Sequence, residues 1–438
     1  MALDRFELTA TTPSARALEL YVDGVDRILS ANAGAEAVLA EAIALDPGFA
    51  LAHAALGRNA QLYGRVEEAR AAAARASAGV ARASERERRH VAALCLAING
   101  ESKRALVEVE AHARDFPRDA LVLSLALGVY GLIAFSGRPD HHEFQRALLE
   151  GLAPRWGEDW WFLTYLGWSR VETGDPKGGA EVLERALALN PRNAHGAHAR
   201  THARVELGEA KDGVAFLTDW LGQYDPAAIL HCHLNWHLAL FELDLGEVER
   251  AMARYRAAML PDVARCGPMP TLADAASFLW RCGLYGAGPR PLPWDEVAAF
   301  AERWFPSAGL AFADLHAAMA EAATAPARID QRVAELERRD AEGRLPQGRV
   351  VPVICRGLGA FARGDAAGAA DLLAAAMPDL TRIAGSHAQR EVFEDTLIAA
   401  WLACGRRESA RALLSERLAR RPRAQDSAWM ADATKERR

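Results

Sequence analysis

Several familiar chemistries are missing from this 438-residue chain. Its six cysteines, Cys95, Cys232, Cys266, Cys282, Cys355 and Cys404, are scattered, and no Cys-x-x-Cys pair occurs. That excludes a zinc ribbon and a disulfide framework, and fits reduced thiols in a cytosolic protein. No stretch of eighteen uncharged apolar residues exists, so no membrane span is expected. The opening "MALDRFELTATTPSARALELYV" lacks a basic segment followed by an apolar one, so no secretory signal is expected either. A soluble, cytoplasmic protein is the expectation. No large excess of one charge is present: Lys and Arg total 52, Asp and Glu 58, and the net charge is −6. Bulk electrostatics therefore argue against nucleic acid or a membrane surface as partner. There is no Gly-x-Ser-x-Gly elbow, Walker loop or dinucleotide fingerprint.

β-Branched residues are sparse, while alanine and leucine are abundant and hydrophobic residues reach 51%. This composition favours helix over sheet and supplies a large core. The length is too great for one simple core. It implies two to three domains or one elongated repeat architecture.

Glycine-to-proline spacing reveals the repeats. Gly100 precedes Pro117, Gly174 precedes Pro191 and Gly405 precedes Pro422 by seventeen residues, and Gly208 precedes Pro226 by eighteen. An Ala/Leu-rich amphipathic stretch lies between each pair, as in "GDPKGGAEVLERALALNP". The glycine suits a tight turn after a first helix, where positive φ is cheap. The proline ends the second helix. Units of about 34 residues built this way follow the tetratricopeptide pattern. An inner small residue recurs seven before the turn, at Gly57 and Gly167, where two helix backbones approach. The fold class expected is all-α: tetratricopeptide-like hairpins stacked into a right-handed superhelix. Residues 1–261 hold N-terminal repeats, 262–345 an irregular helical insert, and 346–438 C-terminal repeats and a polar, frayed tail, in one continuous solenoid. Short mixed-charge runs, "ERERR" and the terminal "KERR", read as solvated surface.

The densest chemical signal is histidine. "HGAHARTHARVELGE" carries His195, His198 and His202, and "HCHLNWHLALFELDLGE" carries His231, His233 and His237. Each segment reads as the first helix of a unit, and the units are neighbours. Residues three and four apart share a helix face. Counted back from the turn glycine, Trp161, His195 and His233 are equivalent, as are Thr164, His198 and Trp236, and Trp168, His202 and Leu240. Three readings follow: a packed helix face, a Trp/His-lined ligand pocket, or a metal site. Two His-x-x-x-His pairs, His198 with His202 and His233 with His237, could supply four nitrogens to zinc. No Glu sits between the histidines as in a metalloprotease helix, and no carboxylate follows at a fixed ligand spacing. The expectation is therefore no metal and no cofactor.

Several blocks resemble the tetratricopeptide repeat protein 38 family. The resemblance covers almost the whole chain, from "TTPSARALELYVDGVDRILS" and "ERERRHVAALCLAINGESKRAL" onward. "HARTHARVELGE" is similar to the family's paired histidines, hence His198 and His202. "HLNWHLALFELDLGE" matches its His, Trp and His pattern, hence His233, Trp236 and His237. "DAASFLWRCGLYG" resembles its aspartate and Leu-Trp-Arg block, which contributes Trp280 and Arg281. "FADLHAAMAEA" gives Asp314 and His316, and "GSHAQREVFEDTLIAAWLACGR" gives His387, Arg390, Glu391 and Asp395. His195 and His231 lie outside the family pattern, and the block at 125–150 is shorter and poorer in aromatics. The resemblance implies a repeat fold and no established reaction. A superhelix closing on itself would gather these blocks into one cavity. Ser386, with Gln389 three residues on, also reads as a capping box.

The favoured reading is a concave cavity that binds a small molecule or short peptide through Trp161, Trp168, Trp236, Trp280, Arg281 and Arg390. The alternative is an enzyme using His198, His202, His233, His237, His316, His387 and Asp314 for acid–base or metal-assisted hydrolysis or elimination. The nearest local acid–base pair is His202 with Glu206 at i+4. A protein–protein adaptor is the third option, and a homo-oligomer is compatible with all three.

Overall fold

A computed structural model describes residues 2–289 and 291–435. The chain is all-α, a tetratricopeptide-like stack of helical hairpins. The only extended pairing among the described residues joins Ala2–Leu3 to Thr9–Ala10. The hairpins arise where the glycines demand them. Gly64, Gly100, Gly174, Gly208, Gly246, Gly364 and Gly405 all take positive φ, each just after a first helix ends. Helix pairs then pack at close range because small residues face each other. A Cβ on Gly167 would lie 2.6 Å from Leu183 Cγ and 3.0 Å from the Gly179 carbonyl oxygen.

The stack does not stay open. Ala194 N–H donates to Ser30 O at 2.9 Å, and Asn32 Nδ2 donates to Arg192 O at 3.0 Å. Gln347 Nε2 donates to Phe135 O at 3.0 Å, and His141 Nε2 stands 3.1 Å from Thr381 O. Pro422 packs against Gly208, and Pro268 against Gly64. The end of the helix Ala15–Leu29 thus touches the start of Ala194–Leu207, and the short helix Leu132–Phe135 faces the C-terminal segment Met377–Ile383. The superhelix closes on its own interior.

The four helices Pro268–Leu284, Trp294–Trp304, Ala311–Thr324 and Pro326–Ala341 join the largest buried apolar cluster among the described residues. The C-terminal tail corrects the sequence expectation. Ala424–Thr434 is a helix, not a frayed end. Asp426 accepts from Arg417 Nε at 2.9 Å, and Trp429 packs edge-on against Tyr285 at 5.4 Å. The "KERR" run beyond Lys435 lies outside the described residues. Among the described residues no helix is long and apolar enough to cross a membrane.

Candidate functional site

Two helices build the centre. Ala194–Leu207 carries His198 and His202, and His231–Asp244 carries His233 and His237. At a spacing of four, each pair projects from one face. Adjacent helices place the pairs opposite each other. His198 Nε2 lies 3.0 Å from His202 Nε2 and 3.0 Å from His233 Nε2. The His202 and His237 rings meet edge to face at 4.5 Å. One nitrogen from each of the four rings falls within 4.8 Å of every other. His202, His233 and His237 are buried, and His198 is partly exposed.

This meeting departs from the alignment by turn glycine. His198, ten before its glycine, meets His233, thirteen before its own, rather than Trp236. Neighbouring first helices are therefore staggered by three residues, close to one turn. Trp236 instead stacks on His233 at 5.1 Å and donates its Nε1–H to Ser277 Oγ at 3.1 Å. Trp168 stacks on His198 at 5.5 Å and sets its edge on His202 at 4.5 Å. The tryptophans wall the imidazoles in.

Two carboxylates stand behind the rings. Asp274, on Pro268–Leu284, accepts from His233 Nδ1 at 2.8 Å. Glu172, at the end of Trp160–Glu172, stands 3.3 Å from His202 Nδ1. That approach is electrostatic rather than a well-aligned hydrogen bond. Glu172 also accepts the His387 backbone N–H at 2.9 Å and lies 3.6 Å from His142 Nε2. Burial disfavours the Glu172 charge. The approach of the His202 and His142 rings and the Arg390 guanidinium overcomes that and holds its carboxyl below the usual range. Burial also pushes His198, His202 and His237 below the ordinary histidine value, so these rings stay neutral.

Proton counting exposes the chemistry. Asp274 fixes the proton of His233 on Nδ1, which leaves Nε2 with a bare lone pair. Glu172, 3.3 Å from His202 Nδ1, favours the same tautomer there. His198 Nε2 faces both and carries at most one proton. With His233 and His202 in these tautomers, at most one of the two 3.0 Å approaches is a linear hydrogen bond. His237 has no hydrogen-bond partner at either nitrogen. Nitrogens at 2.0–2.1 Å around a tetrahedral ion would stand about 3.3 Å apart. The spacing here is close to that.

The other anticipated residues disperse. Glu206 does not serve His202. It accepts from His387 Nδ1 at 2.6 Å and from Arg421 at 3.2 Å. Asp314 pairs with Arg332 at 2.7 Å in a buried cluster with Glu321, and burial lifts its carboxyl to about 6. His316 Nδ1 donates to Phe312 O at 2.7 Å. Trp280 donates to Thr396 Oγ1 at 2.9 Å within the core. Trp161 is buried against Trp156 and Tyr165. Arg281 lies over the Trp236 ring at 5.6 Å and donates to Ala388 O at 2.7 Å. Arg390 sits 3.1 Å from His142 Nε2. The capping box at Ser386 and Gln389 is present in full. His387, Glu391 and Glu394 also cluster, but Arg421 grips Glu391 at 2.6 Å and Arg417 takes Glu394 at 3.4 Å, so these carboxylates are already paired. Sequence reasoning did not select Glu172, Asp274 or His142 for the site. Asp274 did sit in a quoted block, while Glu172 reads as an ordinary helix-end acid.

The sequence matches no family model. Among solved structures, the chain is similar to a tetratricopeptide repeat protein from Parabacteroides merdae. The identity is 15%, over 64% of this chain and 100% of that one, with a TM-score of 0.33. Yeast Tom70 matches at 13% identity over 95% of this chain and 94% of its own, with a TM-score of 0.34.

Proposed function

We propose that this helical-repeat protein binds one divalent transition-metal ion between His198, His202, His233 and His237. The approach of His198 Nε2 to both His202 Nε2 and His233 Nε2 at 3.0 Å, with all four rings offering a nitrogen within 4.8 Å of one another, carries the reading. Neutral imidazoles are the ligating form, and imidazole suits zinc, copper, iron and nickel. Glu172 and Asp274 would complete the arrangement. They orient two rings, and together they balance the two positive charges of the ion. The sequence argued against metal because each helix lacks a carboxylate ligand. Four imidazoles from two helices need none.

Catalysis is a second reading, and the partial exposure of His198 favours it. Were His198 to yield its place, the ion would take a water from the superhelix interior and lower its pKa for hydrolysis or elimination.

The test is metal content. Untagged protein is stripped with chelator, loaded with zinc, nickel or copper, desalted and analysed by mass spectrometry. About one ion per chain is expected. His202→Ala with His237→Ala should lose it while keeping helical circular dichroism. A stripped wild-type chain that takes up none of the three metals sinks the proposal.

A further inference from the structure

Arg58 is a cation without a counter-ion. It lies on the helix Ala50–Leu62, six residues before the turn glycine Gly64. In later units Trp168 and His202 hold the same place, and both face the histidine centre. Arg58 thus belongs to the inner wall. Its Nη1 donates to Gln61 Oε1 at 2.7 Å, while its buried Nε has no partner. Among the described residues no carboxylate stands in ion-pair contact with it. Burial alone drives its pKa down to about 10, with only Tyr165 acting against the drop. The charge is felt at His195. Burial first, and then the Arg58 charge, bring His195 to about 4. The Tyr165 and His195 rings stand 6.1 Å apart. His195 in turn is three residues from His198, a rise of about 4.5 Å along the helix.

An uncompensated guanidinium enclosed by protein is costly unless an anion joins it. The Nε edge of an arginine fork matches two oxygens of a carboxylate or phosphate. Two arginines near this centre are occupied, Arg281 by Ala388 O and Arg390 by Gly385 O. The fork edge of Arg58 has no such partner.

We propose that Arg58 is the anchor of a small-molecule site on the inner wall, which takes the oxyanion group of a carboxylate or phosphate ligand beside His195 and the four-histidine centre. The anchor stands on Arg58 itself. Only the ligand's approach to a metal rests on the reading above. The oxyanion would lie against the guanidinium and the rest of the ligand would extend along His195 toward His198.

The experiment uses the full chain in metal-free and zinc-loaded form. Sodium acetate and inorganic phosphate are titrated calorimetrically at low ionic strength, against wild type and Arg58→Met. Metal-free wild type should bind at least one of the two, and Arg58→Met should weaken that binding tenfold or more. Acetate binding without phosphate binding assigns a carboxylate ligand, and the reverse assigns a phosphate. Thermal melts separate this role from a structural one. With no anion present, Arg58→Met should melt at or above the wild-type temperature, because an unpaired buried charge has gone. Added anion should raise the melting temperature of wild type only. Equal binding by Arg58→Met, no binding of either anion by wild type, or a variant melting several degrees lower would each overturn the proposal. Failure of the metal reading would show instead in metal content and leave the metal-free arm intact. If zinc-loaded wild type binds the same anion more tightly than metal-free wild type, the ligand reaches the ion.

Discussion

His233 is held from both sides: its Nδ1 lies 2.8 Å from Asp274 Oδ1, and its Nε2 lies 3.0 Å from His198 Nε2. The carboxylate decides which nitrogen carries the proton, and hence which faces the centre. Asp274 is almost wholly buried and also lies 3.7 Å from the Cys232 thiol.

Asp274→Asn keeps the shape and removes the charge. The amide oxygen can still accept from His233, so the fold should survive. Zinc affinity should fall by about 10- to 100-fold, the usual effect of losing such a partner. Competition with a chromophoric chelator reads this directly. Unchanged affinity would mean that Asp274 merely packs.

The buried imidazoles predict a pH dependence whose sign is fixed. Burial lowers His141, His195 and His316 to about 4, and pushes His198 and His237 well down. In the unfolded chain these residues take a proton near pH 6.5, while in the folded chain they do not. The unfolded state therefore binds more protons as pH falls below 6.5, and stability falls with it. Each such residue contributes a slope of about 1.4 kcal/mol per pH unit. The carboxylates Asp119 and Glu391, held below the usual range, act only lower, as pH drops below about 4. Urea midpoints of metal-free protein should fall steadily from pH 7 to pH 5. A flat profile would show that the rings are not held neutral.

Much of this was legible in the sequence, for local reasons. The i, i+4 histidine pairs and the turn glycines are set by helix geometry, so Gly174 and Gly208 could be placed without coordinates. Periodicity fixes a residue's face but not the register between neighbouring helices. For that reason His198 was matched with Trp236, although it meets His233. Glu172 and Asp274 reach the rings from helices 30 and 41 residues away in sequence. Nothing local marks either one. Arg58 is further still, and its role follows from a counter-ion that is missing. Asp314 and His316 were drawn in by a family block, yet Arg332 and Phe312 already satisfy them.

Asp119 tests a second buried node, far from the histidine centre. It accepts from Arg86 at 3.1 Å, from His90 Nδ1 at 2.9 Å and from His112 Nε2 at 2.9 Å. Arg86 also reaches Thr9 O, so the node ties the N-terminal pairing to the third hairpin, Glu85–Ile98 with Ser102–Asp115. Asp119→Ala strands a buried guanidinium, which should cost about 3–5 kcal/mol in urea unfolding. Metal content should stay at the wild-type value, since no residue of the node touches the four rings.

Closure of the superhelix can be tested at one glycine, with another as control. Gly137 has φ +80°, and a Cβ there would overlap the Pro346 carbonyl. Arg382 donates to Gly137 O at 2.9 Å beside it. Gly100 has φ +79°, but a Cβ there would meet nothing within 4 Å. Gly100→Ala should therefore cost only the left-handed backbone penalty, about 1–2 kcal/mol. Gly137→Ala carries the same penalty and must also push residues 346–347 away from the 128–145 segment. Its loss in urea unfolding should exceed that of Gly100→Ala by at least about 1 kcal/mol, as overpacking does elsewhere. It should also speed amide exchange at Gln347, whose side chain donates to Phe135 O across the same seam. Equal costs for the two substitutions would mean that the seam yields freely, and that the interior is held shut by its other contacts, from Ala194 to Ser30 and from Pro422 to Gly208.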